Sequence, residues 1–87
     1  MPHLLATLKN VPLKIIKDVL EKDINFHKSQ GMYLKHLWQN ADDENEVLFL
    51  FEIDNIENTK TLIHKLHSET LKHNPEENLP TMTYLKN

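Results

Sequence analysis

The hydrophobic pattern changes period several times along the chain, and each change marks an element. From His3 to Lys9 apolar residues fall on both parities, Leu4, Ala6 and Leu8 on one and Leu5 with Thr7 on the other, which predicts a strand covered on at least one side. Asn10, Val11 and Pro12 interrupt it, and Pro12 suits the first turn of a helix, where its missing N–H has no intrahelical partner to lose. At the helical period of roughly 100° per residue, Leu13, Ile16, Leu20, Ile24 and His27 form one stripe and Ile15, Val19 and Phe26 an adjacent one. Lys14, Lys17, Asp18 and Glu21 lie mostly opposite. This predicts one long helix with a broad apolar face, ending near Gly31, which takes a left-handed turn without steric penalty.

Beyond Gly31 the period returns to two. Residues 32 to 39 set Leu34, His36 and Trp38 against Tyr33, Lys35 and Leu37, a second strand; the acidic and amide-rich stretch Asn40 to Glu46 reads as a polar turn, and Val47 to Ile53 as a third strand forming a hairpin with the second. Asp54 or Asn55 offers an N-cap for a second helix starting near Ile56, with Glu57 favouring its first turn electrostatically. Thr59, Leu62, Ile63, Leu66 and Thr70 share the inner face of that helix, and His73 joins them if the helix continues past Ser68. Pro75 and the polar run Glu76 to Asn78 close the helical region, and Pro80 introduces a last strand, Thr81 to Lys86. The order strand, helix, strand, strand, helix, strand predicts an α+β fold: a four-stranded antiparallel sheet with helices on one face.

The third strand raises the question of what covers the other face. Val47, Phe49, Phe51 and Ile53 point one way and Leu48 and Leu50 the other, so one set meets the helices and the other meets water unless a second chain covers it. A specific interface of roughly 800 Å² per subunit removes such residues from solvent. Size argues the same way. An 87-residue chain buries only about 60–65% of the surface its unfolded form exposes, and without cysteine it has neither a disulfide framework nor a thiolate zinc site for support. Oligomerisation is the remaining support, and a homodimer is expected.

Ten basic and thirteen acidic side chains give a formal charge of −3, with no basic block to neutralise a run of phosphates, so nucleic acid is not an expected partner. An RNA-recognition module of the same strand order needs a basic, glycine-aromatic third strand, and Val47 to Ile53 holds no base and no glycine. The opening MPHLLATLKN has no basic n-region and its apolar run is broken by Thr7 and Lys9; neither a secretion signal nor a membrane span is predicted, and a cytoplasmic protein is expected.

Several segments resemble one known group. Asn40 to Val47, NADDENEV, resembles the DDPNEV hairpin of dimeric α+β barrel proteins, the superfamily that includes antibiotic-biosynthesis monooxygenase-like domains, with Glu44 where that pattern has proline. VLFLFEIDNIENTK, from Val47 to Lys60, is similar to the strand and helix start vlvlfEfeDlekak; His67 to Lys72 resembles SPELKEAM, with Glu69 in place of its proline; Pro80 to Leu85 resembles the closing PEVTFLE strand. The resemblance covers nearly the whole chain and implies a single domain, residues 1 to 87, of ferredoxin-like βαββαβ type that dimerises through its open sheet face into a barrel. It also implies a small cavity in each subunit between sheet and helices. Members include cofactor-free quinone-forming monooxygenases, haem-degrading monooxygenases and lactone isomerases, and fold does not choose among them. The haem-degrading branch uses a strand asparagine, a strand tryptophan and a helix histidine. Here the first strand has no internal asparagine and the only tryptophan is Trp38 of the second strand, so that triad does not carry over.

Candidate chemistry rests on histidines and aromatics. His27 lies on the apolar stripe of the first helix, where burial and the helix C-terminus pull its pKa in opposite directions and make it the candidate general base. His36, Trp38, Phe49 and Tyr84 are the candidate ligand-binding residues, strand side chains that can wall a flat apolar molecule. His64 and His67 are three apart on the second helix, but two ligands are too few for a metal, and they read as a solvated pair; no metal site is expected. No nucleophile elbow or phosphate loop is present, and one glycine cannot build a phosphate cradle. The expected function is binding of a small apolar or aromatic molecule between sheet and helices, with no cofactor. Two versions follow: a cofactor-free monooxygenase-like or isomerase-like enzyme, and a non-catalytic ligand-binding or protein-interaction module.

Overall fold

Seven elements make up the chain, which a computed structural model describes over residues 1–87. They are β1 (His3–Lys9), α1 (Leu13–Lys22), α2 (Ile24–Ser29), β2 (Met32–Asn40), β3 (Asp43–Ile53), α3 (Ile56–His73) and β4 (Thr81–Leu85). The strands form one antiparallel sheet in the order β2-β3-β1-β4. This is the βαββαβ order read from the sequence, in the ferredoxin-like arrangement that the resemblance implies, with its first helix in two pieces.

The two parities of β3 part as expected. Val47, Phe49, Phe51 and Ile53 are buried beneath the helices, with Leu4, Ala6 and Leu8 of β1, Ile16 and Leu20 of α1, and Met32 of β2. Leu48 and Leu50 point to the other face, where no element of the chain lies over them, and both are half-buried. Cross-strand register fixes the rows of this open face: Tyr33, Glu52, His3 and Leu85; then His36, Leu50, Leu5 and Thr83; then Trp38, Leu48, Thr7 and Thr81.

Three local readings of the sequence need correction. The first helix does not run unbroken to Gly31, because Asp23 leaves helical geometry (φ −97°, ψ 6°) and resets the stripe. Only the Ile16 and Leu20 line is buried. Ile15, Val19 and Phe26, read as part of a broad inner face, are 52%, 46% and 44% exposed, and Ile24 is exposed as well. Next, Leu34 does not share a face with His36 and Trp38. A β-bulge lies between Leu34 and His36, so Leu34 pairs with Phe51 on the helix side and His36 with Leu50 on the open side; the extra residue shifts the alternation by one. Finally, the polar stretch after Asn40 is not all turn. The turn is Ala41-Asp42, with Asn40 accepting the Asp42 N–H at 2.8 Å, and β3 already begins at Asp43. Asp43, Glu44 and Asn45 are exposed strand, polar because no helix covers them.

The predicted punctuation holds at both helix boundaries that flank the hairpin. Gly31 has φ +74°, and a Cβ there would stand 2.7 Å from the Asp54 carboxylate, so both conformation and space require glycine. Asn55 caps α3, its side chain accepting the Asn58 N–H at 2.9 Å. α3 continues through Ser68 to His73, which is exposed. After α3, the Asn78 side chain donates to the Lys9 carbonyl and ties the returning loop to β1, which sets Leu79 and Pro80 beside the last turns of the helix.

Candidate functional site

The flank of α3 and the edge strand β4 do not close on each other, and between them runs an open groove of about 800 Å³. Helical spacing builds one wall: Lys60, His64, His67 and Leu71 follow one another along α3, with Thr61 and Ser68 beside them. β4 contributes Met82 and Tyr84, the parity that faces the helices, and Leu79 and Pro80 complete the apolar side. The Lys60 ammonium lies 5.2 Å from the centre of the Tyr84 ring, within cation–π range.

Burial sets the protonation of this groove. His67 is held below the ordinary histidine range, first by desolvation and then by repulsion from His64, so it is a neutral imidazole at neutral pH. Tyr84 is pushed up by burial and stays a neutral phenol. The groove thus presents one ammonium, a neutral imidazole beside a second histidine, and three hydroxyls around an apolar floor. It can hold a hydrophobic ring and hydrogen-bond its polar end. His64 and His67 have no third ligand of the kind a metal requires.

His27 lies elsewhere on the same side of the sheet. Its imidazole packs edge-on against Phe51, centroids 5.1 Å apart at 68°, and tilts against Phe26 at 6.0 Å. Burial lowers its pKa and Asp23 opposes that effect, so the ring is neutral at neutral pH and able to accept a proton. It points toward the sheet, as the helical register predicts, although it reaches that position through α2 rather than through a continuous helix. One row of the sheet relates it to the groove: Phe51 pairs with Leu4, and Leu4 with Tyr84. Leu4 is wholly buried, so packed core separates His27 from the groove.

The four aromatic and histidine side chains expected to share a ligand are divided between the faces. Phe49 is buried beneath the helices, edge-on to Phe51 at 5.9 Å, and Tyr84 lines the groove. His36 and Trp38 stand on the open face, stacked on each other at 4.9 Å and 12°, with Trp38 45% exposed. A single small molecule cannot touch both pairs, because the sheet lies between them. Sequence reasoning missed Lys60 and set His67 aside. The i, i+4, i+7 relation of Lys60, His64 and His67 was available, but nothing in the sequence tells that β4 stands off from this flank of α3 and leaves it accessible.

No helix is long and apolar enough to cross a membrane. No protein-family model matches the chain, and no curated protein matches it. Among solved structures, the chain is similar to an antibiotic biosynthesis monooxygenase-like protein from Deinococcus radiodurans, with 15% sequence identity and a TM-score of 0.63 over 100% of this chain and 92% of the other. At that identity the likeness is one of fold, and chemistry must be argued from the residues present.

Proposed function

We propose that this is a cytoplasmic homodimer of the dimeric α+β barrel type that binds a small apolar or aromatic molecule in the groove between α3 and β4. The observation that carries the ligand reading is the groove itself: an apolar floor of Met82, Tyr84, Leu79 and Pro80 faced by a short row of polar side chains on one helix. Ligand sites typically combine a mostly apolar concavity with a few convergent polar groups. The dimer reading rests on Leu5, Leu48, Leu50, Trp38 and Leu85, which share the uncovered sheet face.

A second reading has a specific observation behind it. His27 is neutral, half-buried and edge-on to an aromatic ring, the state a general base needs in a cofactor-free monooxygenase-like or isomerase-like reaction. For His27 to act, a substrate must enter beneath α2, a six-residue helix with no buried residue, and not through the α3/β4 groove.

Titration of the native protein with 2-naphthol, followed by amide and histidine NMR shifts, separates these readings. Shifts centred on Ile63, His67, Met82 and Tyr84 are expected. Shifts centred on His27 and Phe51 would favour the enzyme reading, and no localised shift at millimolar naphthol would contradict both.

A further inference from the structure

We infer that the α3/β4 groove selects an anion, and that its ligand class is an aromatic monocarboxylate seated with its ring on the apolar floor of Met82 and Tyr84 and its carboxylate toward Lys60. The inference rests on the groove being the ligand seat, and adds the charge of what sits there.

The chain carries thirteen acidic side chains against ten basic ones, yet none of the eleven residues around the groove is an aspartate or glutamate. In a molecule of net charge −3, this patch has the opposite sign. Lys60 has no carboxylate within ion-pair distance; the one such approach of a basic side chain to a carboxylate, His3 to Glu52 at 3.9 Å, lies on the other face of the sheet. Its ammonium lies instead over the Tyr84 ring, free to meet an incoming anion at the edge of the apolar floor. A carboxylate is the complement of this lysine, because the ammonium supplies both charge and hydrogen-bond donors, and His64, one turn along α3, adds an imidazole on the same wall.

The rest of the groove limits the ligand's shape. Ile63, Leu71, Leu79, Pro80, Met82 and Tyr84 offer flat aromatic and aliphatic surface but few further hydrogen-bonding groups on that side. An inorganic anion or a sugar acid would leave that surface wet. An aromatic ring covers it, and Met82 and Tyr84 are suited to pack against such a ring.

His67 reports the sign of the bound charge. Its pKa is lowered in the free protein by desolvation and by His64. A neutral ring would desolvate it further and lower it again, whereas a carboxylate held in the same groove favours the imidazolium and raises it. The test compares three probes of one shape on the native protein, 1-naphthoate, 1-naphthalenemethanol and 1-naphthylmethylammonium, by calorimetry and histidine NMR at low salt, and repeats the series on Lys60→Gln, an exposed position that tolerates the change. Naphthoate is expected to bind about tenfold more tightly than the alcohol, as one well-placed charged hydrogen bond allows. It should raise the His67 pKa, and lose most of its advantage over the alcohol in Lys60→Gln. Equal affinities for naphthoate and alcohol, or a His67 pKa that falls with both, would overturn the anion assignment and leave the groove as a neutral site. If none of the three probes shifts groove resonances, the ligand seat itself is wrong and the anion assignment falls with it.

Discussion

A Phe49→Asp chain is expected not to fold, while Leu50→Asp, one residue further along the same strand, is expected to give a folded monomer. Phe49 is 7% exposed in the layer between sheet and helices, edge-on to Phe51. Truncating a buried phenylalanine costs about 3–5 kcal/mol, and an unpartnered buried carboxylate adds several kcal/mol more. Against a total stability of roughly 4–13 kcal/mol for a chain of this length, the sum is enough to unfold it. Leu50 points to the uncovered face, in a row with His36, Leu5 and Thr83. There a carboxylate is hydrated in the single subunit and loses that hydration only when another copy covers it. The folded subunit should therefore survive, with dimerisation weakened by several kcal/mol, on the order of 100-fold or more. Circular dichroism and sedimentation distinguish the outcomes. A Leu50→Asp chain that dimerises as tightly as the native one would remove the open face as the interface, and a well-folded Phe49→Asp would contradict the assignment of the strand's two faces.

The second large effect is expected from Leu4→Ala. Leu4 has no exposed surface and joins Phe51 to Tyr84 across the sheet. Removing its isobutyl group leaves a cavity that close-packed neighbours only partly fill, at a cost of about 2–5 kcal/mol. For a domain of this size that corresponds to a fall in melting temperature of roughly 10–30 °C, measured at one fixed protein concentration because the melting of the proposed dimer depends on concentration. A fall of only a few degrees would mean that the row between His27 and the groove is loosely packed, and the two candidate sites would no longer be separate.

Much of this architecture is legible in the residues because their local preferences agree with the fold. The alternation from Val47 to Ile53, the glycine forced by φ +74° at position 31 and the amide cap at Asn55 each specify one backbone outcome. What escapes the sequence is geometry without a residue signal. Lys22, Asp23 and Ile24 include neither proline nor glycine, yet the helix breaks at Asp23, and the broad apolar stripe drawn through that point overstates what is buried. The bulge after Leu34 likewise follows from strand pairing, not from a breaker residue. It gives Leu34 to the core and His36 and Trp38 to the open face. The candidate site was legible only in part: Tyr84 lies in the groove, while the importance of Lys60 and His67 depends on how far β4 stands from α3, a tertiary distance that no periodicity encodes.

The uncovered sheet face is the premise on which the proposed barrel depends, and the mass of the native protein in solution tests it most directly. The chain weighs 10.3 kDa. Sedimentation equilibrium at micromolar concentration is expected to give twice that mass, because Leu5, Leu48, Leu50 and Trp38 are removed from water only when a second sheet packs against them. A single species at 10.3 kDa, stable across that concentration range, would contradict the barrel and leave the open face as ordinary surface.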